Sequence, residues 1–173
     1  LQALLPIYAS ENLRVSFIGV GSLTSLAAVL AFVVAYPNGV LSDRFGRKVS
    51  MVPGLVLLAI ASTILSLGDT FLIVLIAVSV QGSGEGMTMG TTHSYAMDLA
   101  PPEHRGSFLG TVMMFQATGA FLGPMFIGAL YHTISPVFAF ATLAVWLAVA
   151  AVTMAFLGRE TVGSRGPKPL VPA

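Results

Sequence analysis

The sequence predicts an all-α membrane protein, a bundle of helices long enough to cross a bilayer. Three observations predict it. Apolar residues make up 55% of the 173 residues and charged ones only 9%, against about 25% charged in a soluble domain. Five apolar stretches reach or approach the roughly 20 residues that a bilayer core of about 30 Å requires. The basic residues also collect on alternate connections, as the orientation rule for membrane helices demands.

In chain order, the apolar stretches run over 15–36, 50–67, 71–97, 107–131 and 136–157, and residues 1–9 form a sixth, shorter one. The chain opens inside that stub (LQALLPIY) with no charged region or cleavage site before it. This reads as a truncated first helix and not as a signal peptide. Residues 1–157 are therefore expected to form one six-helix unit, followed by a disordered tail or linker over 158–173. The breaks carry turn chemistry: Ser42 to Lys48, Gly68-Asp69-Thr70, Pro101-Pro102-Glu103 and His132 to Ser135. Interior Pro53 and Pro124 would disturb soluble helices but are tolerated in membrane ones. Alternation of the spans puts Arg44, Arg47, Lys48, Arg105, Arg159, Arg165 and Lys168 on one side and only Arg14 on the other. Seven of eight cations on one side predict that this side is cytoplasmic.

Several functions are excluded on composition. Cysteine is absent, which removes disulfides, thiolate metal sites and cysteine nucleophiles. His93, His104 and His132 have no spacing for a metal, and no cofactor motif is present. No basic patch with interleaved aromatics suggests nucleic acid. An enzyme is not expected, because HExxH, GxSxG and paired acids at depth are all missing.

The connection after the second stretch reads Gly39-Val-Leu-Ser-Asp-Arg-Phe-Gly-Arg-Lys48. It closely resembles motif A of the major facilitator superfamily, glycine-x-leucine-x-aspartate-arginine-x-glycine-arginine-lysine. Gly39, Leu41, Asp43, Arg44, Gly46, Arg47 and Lys48 fill every signature position. Asp98 to Gly106, with Arg105, resembles the link after the fourth or tenth helix of these transporters. Gly119, Gly123, Pro124 and Gly128 resemble the glycine–proline motif C of proton-driven antiporters, a pattern that corresponding helices of C-terminal halves also show. Drug-efflux members carry an arginine three residues before a Gln-Gly pair in the N-terminal half. Here Val78 stands three residues before Gln81-Gly82, which favours the C-terminal half over the N-terminal half of a proton antiporter. The resemblance implies half of a twelve-helix transporter whose partners are the lipid bilayer, the other six-helix half, a small-molecule substrate and protons. It implies secondary active transport by alternating access in the plasma membrane, with efflux favoured over uptake. A non-transporting sensor or scaffold on the same bundle is the alternative class.

Two candidate sites follow. Arg47 lies four residues after Asp43, one helical turn, so the two can pair. Asp98 is a second candidate carboxylate for Arg47. In the resembled family these positions form a charge relay that latches the cytoplasmic side. The bland alternative is a solvated loop that only sets orientation. Glu85 is the one ionisable residue near the middle of a span. An acid at that depth costs about 2.5–3.5 kcal/mol on insertion scales, and a carboxyl taken from water is easier to protonate. Gln81, Glu85, Thr88, Thr92 and Tyr95 recur at three- or four-residue steps as one polar stripe. Gly82, Gly86, Gly90 and Ser94 form a second stripe suited to helix packing. Glu85 is thus either a proton or substrate site or a structural acid. Gln116 is either a substrate contact or interhelical glue, and His93 reads as packed or interfacial. Met87, Met89, Met113 and Met114 read as packing or lipid-facing residues.

Overall fold

In the computed structural model, residues 16–68 and 70–161 are described. They form five helices: α1 (Phe17–Phe45), α2 (Arg47–Leu67), α3 (Phe71–Leu99), α4 (Arg105–Thr133) and α5 (Pro136–Leu157), with a 3₁₀ turn over Pro102–His104. All five are long and apolar enough to cross a membrane. The expected helix at 1–9, Arg14, and the basic residues Arg165 and Lys168 lie outside the described residues.

The helix ends depart from the hydropathy boundaries. α1 was expected to stop at 36 but continues to Phe45, and α2 begins at Arg47 instead of 50. The motif segment is therefore not a loop. It is two helices separated by Gly46 alone. Hydropathy falls at the first charged residues, Asp43 and Arg44, but backbone hydrogen bonding does not. It ends where Gly46 takes φ 110°, a conformation open to glycine and costly for residues with a Cβ. α3 and α4 overrun their apolar stretches for the same reason, to Leu99 and from Arg105. Local caps fix the other starts. Ser16 Oγ accepts from Gly19 N at α1, and Ser135 Oγ accepts from Phe138 N at α5, where Pro136 occupies the first turn.

α3 is gripped from two sides. It packs on both α1 and α2, and α2 packs in turn on α5. Glycine makes the approach possible: a Cβ at Gly82 or Gly86 would enter the backbone of Ala27 or Ala31 on α1, while Gly84 faces Gly54 of α2. With no hydrophobic force between helices in lipid, such contacts and their dispersion energy hold the bundle. One end carries the apolar core, where Leu23, Leu65, Val74, Val78, Ile127 and Phe140 meet. These come from the start of α1, end of α2, start of α3, end of α4 and start of α5, so successive helices run antiparallel. α4 touches the others mainly through α5. Gly119, Gly123 and Gly128, expected as packing positions, have no neighbour within 4 Å of a built Cβ, and neither has Gly90. Among the described residues no helix lies against these glycines.

Gly86→Val should overpack the α1–α3 contact and lower stability by about 1–3 kcal/mol, seen as a reduced Tm of the purified full-length protein. Gly90→Ala should leave the Tm unchanged.

Candidate functional site at the α1–α2 break

The other end of the bundle is polar. Arg47 leads α2 and its guanidinium gathers three acceptors. Nη1 donates to Asp43 Oδ1 at 2.7 Å and to Ser42 Oγ at 3.0 Å, and Nε donates to Asp98 Oδ2 at 3.1 Å. The two ion pairs differ in setting. Asp43 is 70% exposed, while the side chains of Arg47 and Asp98 are 15% and 14% exposed. An exposed i,i+4 pair contributes about 0.3–0.5 kcal/mol. The shielded Arg47–Asp98 pair is the firmer contact, since loss of one partner would strand the other charge away from water. Arg44 and Arg105 are exposed, and neither joins these ion pairs among the described residues.

Residues after α5 complete the site. The expected disordered tail begins instead as a strap over 158–161. Glu160 accepts from Arg47 N at 2.8 Å and from Lys48 N at 3.3 Å, satisfying two of the orphan amides at the start of α2 with an anion. Lys48 answers in kind: its Nζ donates to Ala155 O at 2.7 Å, in the last turn of α5. An anion thus caps one helix start and a cation caps the neighbouring helix end. Thr161 Oγ1 donates to Asp98 Oδ2 at 3.2 Å, and Arg159 N donates to Tyr95 Oη at 3.0 Å. Gly46 lies against the Glu160 carboxylate with no space for a Cβ. Residues 162–173 lie outside the described residues.

One turn deeper sits a buried node that the sequence reading missed. Asn38 of α1 donates to Met87 O at 2.9 Å and to Thr91 Oγ1 at 3.3 Å, both on α3. Ser50 of α2 donates to Asn38 Oδ1 and lies 3.0 Å from Thr91 Oγ1. Asn38, Ser50 and Thr91 are all buried. A cavity of about 190 Å³ beside it is lined by Asn38, Gly39, Asp43, Arg47, Gly90 and Thr91.

The polar stripe of α3 is divided between two regions. Gln81 Nε2 donates to Glu85 Oε1 at 3.0 Å. Gln81 is 1% exposed, and among the described residues its Oε1 has no hydrogen-bond partner. Thr88 and Thr92 donate back to carbonyls of their own helix, Gly84 O and Thr88 O. Tyr95 belongs to the strap and not to the Glu85 region. Gln116 is exposed on α4, and His93 is exposed on α3. Among the described residues no cluster of metal-ligating side chains occurs.

The family model of the Major Facilitator Superfamily matches residues 1–172. The chain belongs to the major facilitator superfamily. A triacylglyceride transporter of Mycolicibacterium smegmatis is 37% identical over 99 residues, 57% of this chain and 18% of the relative. The quinolone resistance protein NorA of Staphylococcus aureus is 23% identical over 120 residues, 69% of this chain and 31% of the relative. A peptide transporter POT crystallised with sulfate superposes with a TM-score of 0.80 at 19% identity, covering 96% of this chain and 36% of that one. That likeness is one of fold. The chain spans less than a third of the length of these two relatives. This superfamily member is an integral multi-pass membrane protein, and its family is one of transport proteins and not of enzymes.

Glu160→Ala should release the first amides of α2. Hydrogen–deuterium exchange at residues 47–50 should rise in the full-length protein, while exchange in the apolar core stays slow.

Proposed function

We propose that the chain is the C-terminal half of a secondary active transporter that moves a small molecule by alternating access, driven by protons and in the direction of efflux. The observation that carries this reading is Arg47 bridging Asp43 and Asp98 across the one-residue break between α1 and α2. In this reading the motif end faces the cytoplasm, as the cluster of cations there favours. The Arg47 network is a latch. Its firm arm, to Asp98, ties α2 to α3. Its weak arm, to exposed Asp43, contributes little enough to be exchanged during each cycle. Glu160 and Thr161 belong to the same latch because Glu160 holds the backbone amide of Arg47 and Thr161 donates to the Asp98 oxygen that Arg47 Nε also reaches.

Glu85, paired with Gln81 near the middle of α3, is the proposed proton site. A midplane acid costs free energy that function must justify, and rocking of one half against the other exposes such a site to each side in turn. The names of the two relatives, which speak of a triacylglyceride and of quinolone resistance, support an apolar or amphipathic substrate.

Two variants of the full-length protein test the reading. Asp43→Asn should insert normally yet slow transport about twofold, the factor that corresponds to losing about 0.3–0.5 kcal/mol from one conformational state. Unchanged transport would remove Asp43 from the latch. Glu85→Gln should abolish accumulation driven by a proton gradient in proteoliposomes while leaving substrate exchange without a gradient. Retained proton-driven accumulation would exclude Glu85 as the carrier.

A further inference from the structure

We propose that the groove between α2 and α5 at the basic end of the bundle binds one acyl chain of an anionic phospholipid, with its phosphate at Lys48 and Arg159. The groove has a volume of about 570 Å³ and is lined by Met51, Leu55, Trp146, Val149, Thr153 and Met154, among others. α5 carries no charged residue between Pro136 and Leu157, so this wall is built for hydrocarbon. The depth also fits a lipid chain. From Trp146 to Leu157 the groove follows twelve residues of α5, about 18 Å at 1.5 Å per residue. Half of a bilayer core is about 15 Å. The groove therefore covers one leaflet, from the midplane to the end of the helix.

Charge marks the end where the headgroup lies. Lys48 precedes Met51 and Leu55 on one face of α2 at three- and four-residue steps. Its Nζ rests on Ala155 O beside the groove-lining Met154. An ammonium has three donors, and the Ala155 carbonyl takes one. Arg159 follows groove-lining Gly158 directly and is exposed. The nearby acid, Glu160, is engaged by the amides of Arg47 and Lys48. A second groove along the same helix pair, about 370 Å³, is lined by Val56, Ile60, Thr63, Val145 and Ala148 among others. No charged residue occurs within 56–63 or 144–152. Both grooves have apolar walls, and only the first adds cations.

Trp146 is the only tryptophan of the chain and lines the groove, so it reports occupancy. Full-length protein and its Trp146→Phe variant are reconstituted with a minor fraction of phosphatidylglycerol, or of phosphatidylcholine, brominated on one acyl chain. The difference between the two proteins isolates quenching at Trp146. Brominated phosphatidylglycerol should quench at lower mole fraction than brominated phosphatidylcholine. Arg159→Gln should shrink that preference about fivefold, the equivalent of about 1 kcal/mol for one cation at an anionic headgroup. Ala150→Phe, which fills the groove from its exposed wall, should reduce quenching by both lipids. Equal quenching by the two lipids, a preference untouched by Arg159→Gln, or quenching untouched by Ala150→Phe would overturn the proposal.

Discussion

A helix that stops at the edge of a bilayer leaves its first amides and last carbonyls without partners, and no water is available deeper in to satisfy them. The motif end of this bundle is organised around that constraint. Gly46 interrupts hydrogen bonding between α1 and α2, and the interruption bares the amides of Arg47 and Lys48. Glu160 covers them from the far end of the chain. Lys48 covers the end of α5, and the Arg47 side chain turns to the carboxylates of α1 and α3. Two helix ends, one glycine break and three acids are thereby solved together. Removing any one member leaves a charge or a polar group of another member without its partner.

The two ends of the bundle use different physics. At one end apolar side chains of all five helices meet, with no direction to their attraction. At the other, hydrogen bonds and ion pairs specify partners and angles, and the Asn38–Ser50–Thr91 node repeats that specification one turn deeper. Buried polar groups of this kind hold α1, α2 and α3 in one register, because every slip would leave an unpaired donor in a dry place. α4 joins only the apolar end, through Ile127 and Tyr131, which agrees with the open space over Gly119, Gly123 and Gly128.

Much of this was legible in the sequence, and the limits have physical causes. Helix number followed from apolar length, and the pairing of Arg47 with Asp43 followed from a four-residue step. Gly82 and Gly86 were readable as a packing face because helical periodicity is local. What covers a face is not local. The glycines of α4 show a similar pattern and meet nothing among the described residues. Glu160 was invisible for the same reason: its partner amides are more than 110 residues away, and a short polar run after the last helix has the composition of a linker. Asn38 lies beyond the apolar stretch that ends at 36, and only the fold places Ser50 and Thr91 beside it. Helix ends were misjudged because hydropathy reports transfer from water, whereas helix length reports backbone hydrogen bonds.

Glycines at 82, 84 and 86 put α1 against one flank of α3 and α2 against another. Glu85 rides between those flanks on a helix with no room to turn about its own axis. Its surroundings can therefore change only from outside, when something new arrives at its open side or when α1, α2 and α3 travel together. In the proposed transport cycle a side chain mounted in this way has a fixed address within a movable body, so a change in its partner would be read out as displacement of three helices and not as the swing of one side chain.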